Sequence, residues 1–336
     1  MRRMKRILPP RLKVGQTIGY FSPSAPATSF APKRHRRALS YLQSKGFKLK
    51  AGALTGASDH YRSGTIHARA EELNALIRDP EVRCIMSTIG GSNSNSLLPY
   101  IDYDALRADP KIIVGYSDVT AILLAIYAET GLQTFYGPAL VASFGELPPL
   151  VDETYRYFSD VVMSDLAQTT MQVPTSWTDE YLQWEEQARA KVTQPNDCLF
   201  EGRGTVRGRL IGGNLNTMTG IWGSRFMPSI KRGDVLLIED SLKDIATVEK
   251  LFAFLKVNDV FERVGAILLG KHELFDDKGL GRTPRRVLEE VLDGATLPIV
   301  SQFDCAHTHP MMTLALGSEI EINFDTEMIR VEASVV

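Results

Sequence analysis

Cysteine is scarce and unpaired in this chain of 336 residues. Cys84, Cys198 and Cys305 are odd in number, widely spaced and form no C-x-x-C pair. Such a set suits a reducing compartment, here read as the cytoplasm, and excludes a disulfide scaffold. Long hydrophobic runs are missing too, and no stretch approaches the length of a membrane span. The basic start, Met1-Arg-Arg-Met-Lys-Arg6, has no apolar core behind it and does not read as a signal peptide. Strong net charge is absent: 38 Lys and Arg face 40 Asp and Glu, for a formal charge of −2. That speaks against a nucleic-acid binder driven by phosphate neutralisation, and no nucleic-acid or membrane partner is expected. There is no internal repeat and no low-complexity tract. What remains is an ordinary globular composition, long enough for two domains with proper cores.

Residues 1–145 alternate strand-like and helix-like segments. Thr17–Phe21, Phe47–Lys50, Val82–Thr88 and Gln133–Tyr136 read as strands, and Pro32–Lys45 and His67–Arg78 as helices. Alternation of this kind predicts a doubly wound, mostly parallel sheet, an α/β fold whose sites gather at the carboxyl ends of the strands. Residues 146–205, with Pro148-Pro149, Trp177, Trp184 and Pro195-Asn196, read as a linker and substrate-loop region. Residues 206–336 read as a second α/β region. Strands are expected at Arg207–Ile211, Asp234–Ile238, Ala266–Leu269, Pro298–Ser301, Glu319–Asn323 and Met328–Glu332, and helices at Ala246–Leu255 and Arg285–Leu292.

The segment Lys111-Ile-Ile-Val-Gly-Tyr-Ser-Asp-Val-Thr120 carries the most chemistry. The β-branched run Ile112–Val114 predicts a buried strand that breaks at Gly115. A helical pattern then starts near Asp118, which suits an N-cap or first-turn position, and Gly131 is placed to close it. Ser117 falls in the turn between them. A hydroxyl there stands clear of the strand and beside the free N–H groups of a helix start, as a nucleophilic serine requires. The pattern departs from G-x-S-x-G because Val119 stands where the second glycine would be. Phosphate binding, or plain topology, uses the same strand–loop–helix.

A serine nucleophile needs a base and an orienting carboxylate. Glu239 ends the apolar run Val235–Ile238, and His307 follows the strand Leu297–Ser301, so both read as candidates. A surface glutamate and a backbone-bonded loop histidine are the plainer readings. His307 and His309 form an H-x-H pair, but no further ligand segment accompanies them, so neither metal nor cofactor is expected. Cys305 reads as a structural cysteine. Gly90-Gly91, after the Val82–Thr88 strand, brings backbone N–H groups toward a ligand or merely makes a tight turn. Gly212-Gly-Asn-Leu-Asn216 is a ligand loop or a strand-to-helix turn. Trp184 stacks on a base or packs the linker onto a domain. An acidic acyl group would want a basic residue near the pocket, with Lys271 and Arg225 as alternatives that spacing does not separate.

Five separated motifs now line up: Thr88-Ile-Gly-Gly-Ser-Asn-Ser-Asn95, Lys111–Asp118, Gly212–Asn216, Leu237-Ile-Glu-Asp240 and Ala306-His-Thr-His-Pro310. In order and spacing they resemble the LD-carboxypeptidase family of serine peptidases, from about Arg11 to the C-terminus. Asn214-Leu-Asn-Thr-Met-Thr-Gly-Ile-Trp-Gly223 and the loop around Trp184 resemble its microcin C immunity branch.

The resemblance implies a catalytic triad of Ser117, His307 and Glu239 without metal. It further implies an oxyanion hole from the backbone of Gly91 and Asp118, a substrate contact at Trp184, a cytoplasmic homodimer, and a Rossmann-like or flavodoxin-like N-terminal domain with a smaller β-rich C-terminal one. Gly90, Asn214 and Lys271 are expected as further substrate contacts on the residue grounds above. The family cleaves the bond before the terminal D-alanine of murein tetrapeptides. The immunity branch cleaves the amide joining an aminoacyl group to a nucleotide analogue. A non-catalytic nucleotide- or peptide-binding protein on the same scaffold is the reading from a different class. One position departs from the family pattern: Ala306 stands where glycine usually precedes the histidine.

Overall fold

The computed structural model describes residues 6–305 and 307–336. Ala306, the departure next to His307, lies outside the described residues. Five strands of the first part of the chain pair in parallel: β1 (Thr17–Phe21), β2 (Lys48–Ala51), β3 (Val82–Ser87), β4 (Ile112–Gly115) and β5 (Thr134–Tyr136). All four residues of β4 are buried, and β3 is buried except at Arg83, so both read as continuous apolar runs rather than alternating ones. The order is β5-β4-β3-β1-β2, with one more strand beyond β5.

That strand comes from far along the chain. The middle segment supplies β6 (Gln168–Met171) and a short ribbon of β7 (Ser176–Trp177) and β8 (Gln194–Pro195). Then follow β9 (Leu199–Glu201), β10 (Thr205–Asn214), β11 (Val235–Glu239), β12 (Ala266–Gly270), β13 (Ile299–Phe303), β14 (Leu314–Leu316), β15 (Glu319–Asn323) and β16 (Met328–Glu332). β14 returns to the first sheet and pairs antiparallel with β5, placing Leu314 opposite Tyr136. The others make an eight-stranded sheet in the order β6-β16-β15-β10-β11-β12-β13-β9. The long β10 serves both halves of it. Thr205–Arg209 runs antiparallel to β15, and Leu210–Asn214 runs parallel to β11.

The two sheets share one apolar core through the helix Thr120–Thr130. Its sequence, TAILLAIYAET, has no polar face, and nine of its eleven residues are buried. A helix apolar all round must be covered on every side. Thr120 Oγ1 accepts the Asn214 N–H at the end of β10 (3.0 Å). Gly213 lies so close that a Cβ there would sit 2.7 Å from Thr120 Cγ2. Gly131 ends the helix at φ 78°, the left-handed conformation expected of it.

The segment read as a linker is more ordered than its composition suggested. Leu150–Val162 is a helix behind Pro149, and its Val151, Phe158 and Val162 join the core on the β1–β5 sheet. Pro148-Pro149 masked it, since proline reads as a breaker although the first turn of a helix tolerates it.

Candidate active site

The site forms where the carboxyl ends of strands from both sheets meet. β4 ends at Gly115 and the chain turns through Ser117 into a helical turn. Ser117 has φ 60°, a left-handed backbone that a non-glycine residue holds only when its surroundings insist. Gly115 is bare because a Cβ there would meet Ser87 Oγ at 2.5 Å and Val119 Cγ1 at 2.8 Å. Val119 therefore fills the space that the expected second glycine would leave.

β11 delivers Glu239, fully buried at its last position. β13 leads into the loop bearing His307. Its Nδ1 lies 2.8 Å from Glu239 Oε2, and its Nε2 lies 3.0 Å from Ser117 Oγ. The Tyr116 ring packs edge-on to the imidazole at 4.9 Å. Burial disfavours the imidazolium, but Glu239 beside it, with Glu273 and Asp240 further out, outweighs this and raises the His307 pKa. Burial would likewise raise the Glu239 pKa, and His307, Tyr136 and Asn214 bring it below its ordinary value. An imidazole so held can take the hydroxyl proton while the carboxylate stabilises the resulting cation.

Two neighbours of Glu239 complete its shell. Asn214, the N-cap of the turn after β10, donates Nδ2–H to Glu239 Oε1 (3.0 Å). Gly212–Asn216 is thus a strand-to-helix turn that also lines the cleft through Asn214 and Asn216. Tyr136, which the sequence reading passed over as a strand residue, donates its hydroxyl to Glu239 and accepts the Ser117 N–H (3.2 Å). Its place at the carboxyl end of the expected strand Gln133–Tyr136 was the one signal in the sequence.

The Gly90-Gly91 turn faces the elbow. A Cβ on Gly90 would lie 2.9 Å from Ser117 Cβ and 3.0 Å from the Asp118 nitrogen. Gly91 has φ 147° and abuts Ser24. Among the described residues neither the Gly91 nor the Asp118 N–H has an acceptor. Of the two positions the sequence allowed, Asp118 takes the first turn rather than the N-cap. Its side chain accepts the Asn93 and Ser94 N–H groups, each at 2.9 Å, and so ties the glycine turn to the elbow.

These residues line a cleft of about 400 Å³ with Trp184, Tyr181, Lys191, Lys243, Glu273 and His309. A wider hollow of about 670 Å³ at Glu201, Arg285 and Leu292 holds none of them. Trp184 lies beside Phe30, with the Arg34 guanidinium 4.6 Å from its ring centre. Lys271 does not reach the cleft. Its buried ammonium bonds the Gln302 carbonyl and sits 3.0 Å from Asp304 Oδ1. Arg225 pairs with Glu129 at the surface. Both were named as basic residues that would suit an acidic acyl group, and sequence position says nothing about which way a loop side chain turns; the cations lining the cleft are Lys191 and Lys243. His309 faces Glu146 at 4.0 Å, and among the described residues no cluster of three metal-type ligands occurs. Cys305 is buried and its thiol pKa is pushed up by burial, as befits a structural residue.

A serine–imidazole–carboxylate array between two sheets of a mixed α/β fold is of serine-hydrolase class. Models of the LD-carboxypeptidase N-terminal domain and C-terminal domain match residues 18–137 and 207–322. The chain is 64% identical over 321 residues to a putative carboxypeptidase of Vibrio cholerae, covering 96% of each. It is 58% identical over 323 residues to the microcin C7 self-immunity protein MccF of Escherichia coli, covering 95% of this chain and 94% of that one. A solved structure of MccF in complex with aspartyl sulfamoyl adenosine superposes with a TM-score of 0.97 at 56% identity, covering 98% of this chain and 100% of that one. The chain belongs to the LD-carboxypeptidase family and is a serine peptidase or amidase.

Proposed function

We propose that the protein hydrolyses the amide bond of aminoacyl-nucleotide analogues through Ser117, His307 and Glu239, detoxifying compounds of the processed microcin C type. The observation that carries this reading is the continuous contact from Ser117 Oγ through His307 to Glu239, at 3.0 and 2.8 Å. The likeness to MccF supports the substrate class.

In this mechanism His307 removes the Ser117 proton as Ser117 attacks the amide carbonyl. Glu239 holds the imidazole in one tautomer and stabilises the imidazolium. The Gly91 and Asp118 N–H groups receive the oxyanion, and loss of one such donor would raise the barrier by about 3 kcal/mol. His307 then protonates the leaving nitrogen, and water resolves the acyl-enzyme. Trp184 stacks on the nucleobase, while Gly90 and Asn214 shape the acyl side. Residues 1–145 carry the nucleophile, 146–205 the substrate loop and 206–336 the carboxylate and base. The family resemblance also assigns a cytoplasmic homodimer, which sedimentation of the purified protein tests for assembly.

The deciding experiment follows aspartyl-sulfamoyl adenosine and a murein tetrapeptide side by side by mass spectrometry. The wild type should cleave the adenosine compound. Ser117→Ala should bind it with near-native affinity and leave it intact; turnover by that variant would overturn the nucleophile assignment. Release of D-alanine alone would place the activity in cell-wall peptide cleavage instead.

A further inference from the structure

Glu273 is the one acidic side chain on the cleft that the mechanism leaves without work and the fold leaves without a partner. It lies just past β12, and its backbone is fixed: its carbonyl accepts the Leu242 N–H at 2.9 Å, and it bridges to Ser241. The side chain is half-buried and lines the same cleft as Ser117 and His307. Other acids with buried side chains here are bound. Glu72 takes the N–H groups of Ser22 and Leu54 (each 2.8 Å), Glu146 takes Arg34 (2.9 Å), and Asp304 takes Asn196 and Lys271. No hydrogen bond or ion pair reaches the Glu273 carboxylate among the described residues. A half-buried carboxylate on the wall of a cleft, with no protein donor, has its acceptor sites left for a ligand that brings donors. Burial raises its pKa, while His307 and Lys191 pull the other way.

We infer that the Glu273 carboxylate receives the free ammonium of the substrate's acyl group, so that the enzyme selects amides whose acyl part carries an unblocked amine. A single carboxylate on an open cleft suits an ammonium with its several donors better than a metal ion, which would need further ligands. In aspartyl-sulfamoyl adenosine the α-amine is the only cation near neutral pH. The inference rests on the proposed acyl-transfer site, and it extends to any acyl group bearing an amine.

Calorimetric binding to full-length Ser117→Ala, with and without Glu273→Gln, tests it apart from turnover. One probe pair is aspartyl-sulfamoyl adenosine and its des-amino counterpart, the succinyl compound. The second is a murein tetrapeptide with its diaminopimelyl amine free or acetylated. Ser117→Ala should favour the amine-bearing member by about tenfold or more, the usual worth of a hydrogen bond to a charged group. Adding Glu273→Gln should bring that ratio to within about twofold while affinity for the des-amino member stays put. The inference is overturned if the ratio survives Glu273→Gln, if both members weaken equally, or if neither pair shows an amine preference. A Glu273-dependent preference confined to the tetrapeptide would uphold it and overturn the nucleotide reading.

Discussion

His307 is the residue whose protonation governs the proposed reaction, and its surroundings set the pH at which it works. The anions facing it are Glu239, Glu273 and Asp240; His272, His309 and the Tyr116 phenol are further titratable groups nearby. The net effect raises its pKa above the ordinary 6.5. A base must be neutral to act, so the acid limb of kcat/KM against pH should have its midpoint above 6.5, measured over pH 5–9. A midpoint below that value would mean that burial, not the carboxylates, dominates. Tyr136→Phe removes a donor to Glu239 and the acceptor of the Ser117 N–H. Turnover should fall about tenfold, as expected for one positioning hydrogen bond of about 1–2 kcal/mol, with KM little changed. Gly90→Ala places a methyl 2.9 Å from Ser117 Cβ. The elbow must shift, and kcat should drop by about 100-fold while the melting temperature moves little.

Among the elements, the segment carrying Trp184 is held to the rest of the molecule by polar contacts that its sequence does not announce. Thr178 and His309 exchange both backbone hydrogen bonds at 2.9 Å, and Asn196 donates to Asp304 at 2.7 Å. Both links end on the loop that bears His307, so the Trp184 segment and His307 share one anchor. Deeper in, Arg34 donates to Gln187 and Glu146, and both charged side chains are fully buried. Burial lowers the Arg34 pKa but leaves the guanidinium charged. Burial would also raise the Glu146 pKa, and His309, Arg34, the Leu147 N–H and Gln187 overturn this and hold it at about 2. A carboxylate with a depressed native pKa adds stability above its ordinary 4.5, and loses it as pH falls toward about 2. Glu146→Gln leaves Arg34 buried and unpaired and should cost about 3–5 kcal/mol at neutral pH by urea unfolding. The variant should also lose part of the wild type's sensitivity to acid below pH 4.5.

At the scale of the whole molecule, the two halves are interlocked. β14, drawn from residues 314–316, closes the first sheet beside β5, and the apolar helix Thr120–Thr130 is covered by both sheets. A fragment of residues 1–145 would expose an unpaired β5 edge and one side of that helix. Expressed alone it should aggregate or show a molten, non-cooperative thermal transition by circular dichroism. A sharp transition would show instead that residues 1–145 fold as an autonomous domain. Among the described residues no helix is long and apolar enough to cross a membrane.

Much was determined by the sequence alone. The strand–elbow–helix around Ser117, the alternating first half and the hairpin β15–β16 all follow from local periodicity and turn chemistry, which nearest neighbours in the chain decide. Ser117, Glu239 and His307 were legible because each stands at or just beyond the carboxyl end of an apolar run. Other features were decided only in three dimensions. The helix Leu150–Val162 hid behind two prolines, and β14 is three residues that become a strand only because β5 presents an unpaired edge. Lys271 turned inward to Asp304, while Lys191 and Glu273, ordinary charges in loops, came to line the same cleft as Ser117. Tyr136 likewise reached Ser117 and Glu239 from a strand that looked purely structural. Backbone conformation depends on neighbours in sequence, whereas the direction of a loop side chain depends on residues a hundred or more positions away, and folding alone brings those together.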